Sequence, residues 1–415
     1  LKIYLVGGAI RDRLLGFPVH DRDWVVVGST SEKMLKKRYL QVGKDFPVFI
    51  HPKTREEYAL ARTEKKSGFG YSGFLFDFSS KITLQEDLIR RDLTINAIAQ
   101  DKKGNIIDLF NGQKDIKKRI LRHVSSSFVE DPVRVLRVAR FAATLSHLGF
   151  YIASETLTLM KLICQKKELL YLTPERIWKE TYKGLCTRNP HVYFKILHRC
   201  NALFYLFPEI NFFYRKTSFF DFHCNYVNIL QLSLMELSRI SKCTADVDIR
   251  FSYFLQFISY IYSVSEIDIK HYFFYKKPIF LIKSLCMRLK IPKETQKILI
   301  IVCGFHKFLQ TIKIQNSTLI VDFFDIVDVW RKPDRLKKLM YLDFYDFTTY
   351  NIKNNSFVLG KLLISMFSVI KDISVQACID TKLFRGIAIK HELYRLRVDS
   401  LNKWRKNNKN FKIFL

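Results

Sequence analysis

The stretch that most constrains this chain spans residues 3–27. It reads as a buried strand, a Gly7-Gly8 turn, a short helix opening with Arg11, and a second strand carrying Asp21 and Asp23. Successive side chains of a strand alternate faces, so aspartates two residues apart point the same way. Like charges side by side are unfavourable unless a cation lies between them, and hard carboxylate oxygens suit a magnesium ion with phosphate co-ligands. The glycine pair lets the backbone turn sharply and approach a phosphate closely, with the amides of the next helix facing an anion. Taken separately, Gly-Gly is a tight turn and Asp-Arg-Asp a solvated strand edge. Together, about a dozen residues apart with Arg11 and Asp12 between them, they point to a metal-and-phosphate site.

The chain has 415 residues, and Lys plus Arg outnumber Asp plus Glu by 69 to 39, a formal charge of +30. Such a charge suits a polyanion, either nucleic acid or an anionic membrane surface. Part of the excess belongs to a general enrichment in Lys, Phe, Tyr, Ile and Asn. The apolar run at residues 251–264 is interrupted by Ser and Gln and falls short of the roughly 20 residues of a membrane span, so it reads as a buried helix. No membrane partner is expected. The eight cysteines are scattered with no C-x-x-C pair, and the chain opens straight into a strand, which together suggest a reducing cytoplasm.

Residues 1 to about 120 mix strand and helix patterns, with further strands at 46–51 and 57–61 flanking a turn-prone segment at 52–55. Glu57 reads as an edge charge in preference to a third carboxylate near the metals. The segment KKSGFGYSG, residues 65–73, reads as a loop, either plainly solvated or able to touch nucleic acid. QEDLIRRDLTINAIA, residues 85–99, reads as one helix. Arg90 and Arg91 would then diverge by about 100°, leaving one to reach a phosphate while the other pairs locally. Asp92 and Asn96 would share a face, and Thr94 and Asn96 amid Ile95 and Ile98 suggest an ordered polar network. Asp108, in NIIDLFNGQKD, closes a short strand before a glycine turn.

In EDPVRVLRVARFAATL, residues 130–145, Asp131 is a good N-cap ahead of Pro132. Arg134, Arg137 and Arg140 follow at spacings of three and form a stripe about 120° wide. Guanidiniums so close together need anions. A nucleotide's base and triphosphate could satisfy them; acidic neighbours are the alternative.

GGAIRD with DRD, then RRDLTINAIA, then EDPVRVLRVARF closely resemble, in order and spacing, the motif series of the class II tRNA nucleotidyltransferases. These are the CCA-adding enzymes of the polymerase-β-like superfamily. The resemblance covers residues 1 to about 200 and continues more weakly to about 340 through FPEI, VDIRF and VWRKP. It implies an α+β protein: a polymerase-β-like nucleotidyltransferase head with a mixed sheet (1–122), followed by an all-α remainder. That remainder comprises a neck recognising the nucleotide base (123–200), a body (201–330) and a tRNA-binding tail (331–415), in a seahorse-like molecule. Carried over by position, Asp21 and Asp23 match the metal ligands, and Gly8, Arg11 and Arg91 match residues that hold the sugar and triphosphate. Asp131 and Arg134 match the pair that reads the base, with Arg137 and Arg140 bordering the same pocket. Asp108 falls in a flexible-loop motif, and TPERIWKE, residues 173–180, matches a helix that braces the neck.

The resemblance further implies Mg2+ as cofactor, ATP and CTP as substrates, tRNA as partner, and a monomer or weak homodimer. The reaction would be template-independent CCA addition by in-line displacement at the α-phosphorus. The rival readings are a poly(A) polymerase of the same superfamily and a non-catalytic tRNA-binding protein with a decayed head. In one respect the chain departs from its nearest-looking kin, which carry a histidine-aspartate phosphohydrolase site in the body. After VDIRF this chain has Gln256 and Phe257 where His-Asp is expected, Tyr260 in place of a lysine, Asn228 upstream in place of the first histidine, and His271 as a remnant. Phe cannot replace a metal ligand, so phosphatase and phosphodiesterase activity are expected to be absent.

Overall fold

Trp24 to Val27 lack polar alternation because the strand they form is covered on both faces. Val25 packs with Val6, Ala61, Ile82, Leu88 and Ala99 on one face, and Val26 with Met34, Phe49, Tyr58 and Leu60 on the other. The structure, a computed structural model, describes residues 1–19, 21–42, 48–66, 68, 74–210, 218–220, 226–259, 276–341, 357–374 and 387–408. The chain divides into two compact units, Leu1–Phe212 and Phe213–Leu415.

In the first unit the strands are β1 (Lys2–Val6), β2 (Asp23–Val27), β3 (Leu40–Val42), β4 (Val48–Ile50), β5 (Glu57–Leu60), β6 (Thr63–Lys66), β7 (Phe74–Asp77), β8 (Ile98–Gln100) and β9 (Ile106–Asp108). Seven of them form one mixed sheet in the order β3-β4-β5-β2-β1-β8-β9. Within it β2 is antiparallel to β1 and parallel to β5, while β6 and β7 make a separate hairpin. The helices are α1 (Gly8–Leu14), α2 (Ser31–Lys36), α3 (Leu84–Ile89), α4 (Gly112–Lys118), α5 (Val133–Leu145), α6 (Ser154–Gln165), α7 (Pro174–Leu185), α8 (Pro190–Arg199) and α9 (Ala202–Leu206). A short parallel pairing of Ile120–Leu121 with Tyr151–Ile152 interrupts the otherwise helical segment after residue 122.

Local expectations are corrected at several points. Helix α1 begins at Gly8, so Arg11 sits mid-helix, and Asp21 precedes β2 rather than lying in it. The helix expected over 85–99 ends at Ile89. Thr83 and Glu86 start it with a reciprocal capping box. Past Arg90 the Asp92 carboxylate accepts from the Leu93 amide at 2.8 Å and the Thr94 amide donates to the Arg122 carbonyl at 2.9 Å, after which Ile98–Gln100 joins the sheet between β1 and β9. Sheet pairing overrides local helix propensity there. Glu57 is not on an edge strand, since β5 lies between β4 and β2. The loop at 65–73 is described only through Lys66 and at residue 68; the rest lies outside the described residues.

The second unit is built on helices, among them Ile229–Ile240, Val247–Leu255, Lys293–Gly304, Ser317–Val327, Val358–Ile370 and Ile387–Asn407. It is not purely helical: Ser218–Phe220 pairs antiparallel with Tyr226–Asn228. In the apolar run at 251–264 the helix ends at Leu255 and burial continues to Ser259; residues 260–264 lie outside the described residues. Tyr260 and His271 do as well. Among the described residues no helix is long and apolar enough to cross a membrane.

Candidate active site

In the first unit, β1, β2, α1, the turn after α3, α5 and α7 enclose a cavity of about 820 Å³. Gly7 makes the turn between β1 and α1 at φ +74°, and a Cβ there would stand 3.1 Å from Arg91 Nη1. The strict demand for glycine therefore falls on Gly7. Gly8, the expected nucleotide-holding glycine, lines the cavity as the first residue of α1. Arg11 is buried; its Nε donates to Asp12 at 2.9 Å and its Nη1 to Asn96 Oδ1 at 2.7 Å. Asn96 in turn donates to Asp92 at 3.1 Å, and Arg137 Nε donates to the other Asp92 oxygen at 2.7 Å. The polar network expected around Asp92 and Asn96 thus exists, linking α1 to α5 through a turn rather than along a helix. Burial pushes the Asp92 carboxyl up, but Arg137, Asn96 and Arg134 outweigh it and hold it well below the usual carboxylate range.

Arg90 pairs locally, with Asp87 and with Glu64 at 2.7 Å. Arg91 lines the cavity and donates through Nη2 to Asp87 at 3.1 Å, while its buried Nε has no hydrogen-bond partner. Asp21 and Asp23 both line the cavity, and Glu57 lies directly opposite Asp23 in the β2–β5 register. Asp23 is pushed up, first by burial and then by Asp21, against the pull of Arg91 and Arg137. None of these three carboxylates makes an ion pair among the described residues. No group of three or more His, Cys, Asp or Glu side chains among the described residues is clustered to hold a metal alone. A carboxylate pair completed by phosphate and water is the donor set magnesium prefers.

Across the cavity, α5 begins one residue later than expected, with Pro132 rather than Asp131 at its N-cap; Asp131 Oδ1 accepts from the Val133 amide at 3.1 Å and its Oδ2 from Arg176 of α7 at 2.9 Å. Arg134 is buried, with Nη1 on the Ser127 carbonyl at 2.6 Å and Nη2 on the Arg90 carbonyl. The arginine stripe finds protein acids: Arg137 has Asp92, and Arg140 Nε has buried Glu180 at 2.6 Å. The Phe141 ring lies 4.2 Å from Arg140, 5.1 Å from Arg11 and 5.6 Å from Arg137. Asp108 is not in the cavity wall; it accepts from the Gly112 and Gln113 amides at 2.8 and 2.9 Å and so anchors α4.

Sequence reasoning took residues 173–180 as a brace and missed that Arg176, Lys179, Glu180 and Lys183 all line the cavity. Their spacing of three, four and seven places one charged stripe on α7, which was the available signal.

Residues 3–122 match the family described as "Poly A polymerase head domain", and residues 149–213 match "Probable RNA and SrmB- binding site of polymerase A". The CCA-adding enzyme of Buchnera aphidicola subsp. Cinara cedri is 68% identical over 97% of this chain and 98% of its own. That of the Acyrthosiphon pisum subspecies, strain Tuc7, is 53% identical over the whole of both chains. Among solved structures, an apo CCA-adding enzyme is similar with a TM-score of 0.64 at 21% identity, covering 96% of this chain and 88% of that one. The Thermotoga maritima CCA-adding enzyme complexed with tRNA is similar with a TM-score of 0.63 at 21% identity, over 96% and 87% of the two chains. At such identity the structural likeness speaks to the fold, whereas the sequence identity to the two relatives extends over the whole chain: this protein belongs to the family of CCA-adding enzymes.

Proposed function

We infer that this chain adds C, C and A to the 3′ end of tRNA without a nucleic-acid template, consuming CTP and ATP and releasing pyrophosphate. The observation that carries the reading is the convergence in one cavity of the Asp21–Asp23 pair, the Gly7 turn with Arg11 and Arg91, and the Asp131–Arg134 pair. Asp21 and Asp23, with Glu57 beside them, would hold Mg2+, which when bound supplies Lewis acidity at the attacking hydroxyl and charge neutralisation at the leaving pyrophosphate. Arg11 and Arg91 hold the sugar and triphosphate. Arg137 and Arg140, each fixed by an acid, border the base.

Base choice follows from donor and acceptor order. Cytosine and adenine both present a ring-nitrogen acceptor beside an exocyclic amine, which an arginine donor and an aspartate acceptor satisfy; uracil and guanine reverse that order. A guanidinium has five N–H donors, and the two that Arg134 gives to carbonyls fix its orientation while others remain for a base. The Asp131 carboxylate is likewise held by Arg176. Each mispaired buried group costs roughly 1–3 kcal/mol, so one such pair can reject the wrong bases by a factor of hundreds.

In the second unit, Phe257 is buried in the core and Asp248 is tied to Lys338 and Thr295, which supports the absence of phosphatase or phosphodiesterase activity. Action on tRNA fits a cytoplasmic protein, as a monomer or weak homodimer. The deciding experiment offers magnesium and a tRNA transcript lacking its 3′ end each nucleotide singly, then CTP with ATP. Two additions with CTP alone, and three followed by arrest with both, are expected. A long A tract would instead indicate a poly(A) polymerase.

A further inference from the structure

The charged side chains of the cavity divide into two groups. Its arginines are engaged by protein groups: Arg11 by Asp12, Arg137 by Asp92, Arg140 by Glu180 and Arg176 by Asp131. Two cations of the wall differ. The side chains of Lys179 and Lys183, solvent-exposed on α7, make no hydrogen bond or ion pair among the described residues. We propose that Lys179 and Lys183 bind the backbone phosphates at the 3′ end of the tRNA and so position the terminal hydroxyl for attack. The proposal rests on the CCA-addition reading and extends it to the second substrate.

Position along α7 argues for the RNA phosphates over the nucleotide's own. The triphosphate is tied to the sheet side, by the β2 carboxylates, the Gly7 turn, Arg11 and Arg91, and the base belongs with Asp131, which Arg176 holds. Lys179 and Lys183 follow Arg176 by three and seven residues on the same face, roughly 5 and 10 Å further along the helix axis. The anion beyond a bound nucleotide is the phosphodiester of the strand it will extend. The residue type fits as well. Lysine offers a point charge on a flexible stem with no demand for fixed geometry, which suits a chain end that shifts by one nucleotide after each addition. Lys183 also sits among cations: partial burial disfavours its charged form most, and Arg140, Lys179 and Arg137 add to that against Glu180. A phosphate would relieve this crowding.

The test uses the full chain with Lys179→Ala and Lys183→Ala combined, and a second double variant with Gln at both positions in case the first folds poorly. KM for a tRNA lacking CCA is expected to rise about tenfold, while KM for CTP and ATP stays within about twofold. The slope of log tRNA affinity against log salt should become shallower by about 1.4, the share of two single-strand phosphate contacts. Arg at both positions should restore most of the affinity. A rise in KM for CTP and ATP with tRNA unaffected would assign the lysines to the triphosphate and overturn the proposal; no change in either KM would overturn it too. An unmutated chain that adds nothing to tRNA would instead overturn the CCA-addition reading, so the two failures are distinguishable.

Discussion

Asp23 and Asp92 carry opposite electrostatic assignments. Asp23 has its pKa raised by burial and by Asp21, so in metal-free protein its charge opposes folding above its folded pKa, and this destabilisation disappears as pH falls toward the unfolded value of about 3.9. Asp23→Asn should abolish nucleotide addition yet raise the melting temperature in chelator by about 1–3 °C at pH 7. That gain should shrink in acid; a variant melting lower than the parent at pH 7 in chelator would refute the assignment. Asp92 is depressed, so its stabilisation is present above about pH 4 and lost as pH falls through its lower folded pKa. Asp92→Ala leaves Arg137 and Asn96 without their acceptor and should destabilise the protein by about 2–4 kcal/mol, measurable by denaturant unfolding. Asp131→Ala should relax base choice more than it slows addition, and unchanged discrimination between CTP and UTP would contradict the template role of the pair.

At the scale of elements, close approach decides more than propensity. Gly112 opens α4 where a Cβ would lie 2.4 Å from the Thr94 carbonyl and 2.7 Å from Ile98 Cγ1, both part of the segment that feeds β8. Gly112→Ala should therefore cost about 2–3 kcal/mol, seen as a lowered denaturation midpoint, although alanine is the better helix former. The same segment explains why the helix expected at 85–99 stops early: nothing local in RRDLTINAIA reveals that Ile98–Gln100 will find β1 and β9 as partners. Helix α5 was easier to anticipate because an Asp-Pro start is a local signal, and α7 was expected from the resemblance of residues 173–180. Their mutual charge pairing was not. The arginine stripe suggested external anions, while Asp92 and Glu180, distant in sequence, supply internal ones.

For the whole molecule, the excess of 69 basic over 39 acidic residues predicts a strongly salt-dependent interaction with tRNA. Raising monovalent salt from about 50 to 200 mM should weaken binding at least tenfold, and a flat response would exclude a phosphate-reading surface. Purified protein should show no metal-dependent phosphodiesterase activity, since Gln256 and Phe257, at the positions where the resemblance expects His-Asp, are buried and neither can replace that pair. The sequence by itself pointed to a metal-and-phosphate site in the head: Asp21, Asp23 and the Gly7 turn declare themselves through residue type and spacing along short segments, where the physics is local, while the roles proposed for Arg11, Arg91 and Asp131 lean on the family resemblance. Only the tertiary structure decided which charges remain available. It turned Glu57 from an edge charge into the register partner of Asp23, made Asp108 an anchor for α4, fixed Arg134 on two carbonyls, and brought Lys179 and Lys183 into the cavity. Whether a charged group is satisfied depends on partners dozens of residues away, and only the fold specifies those distances.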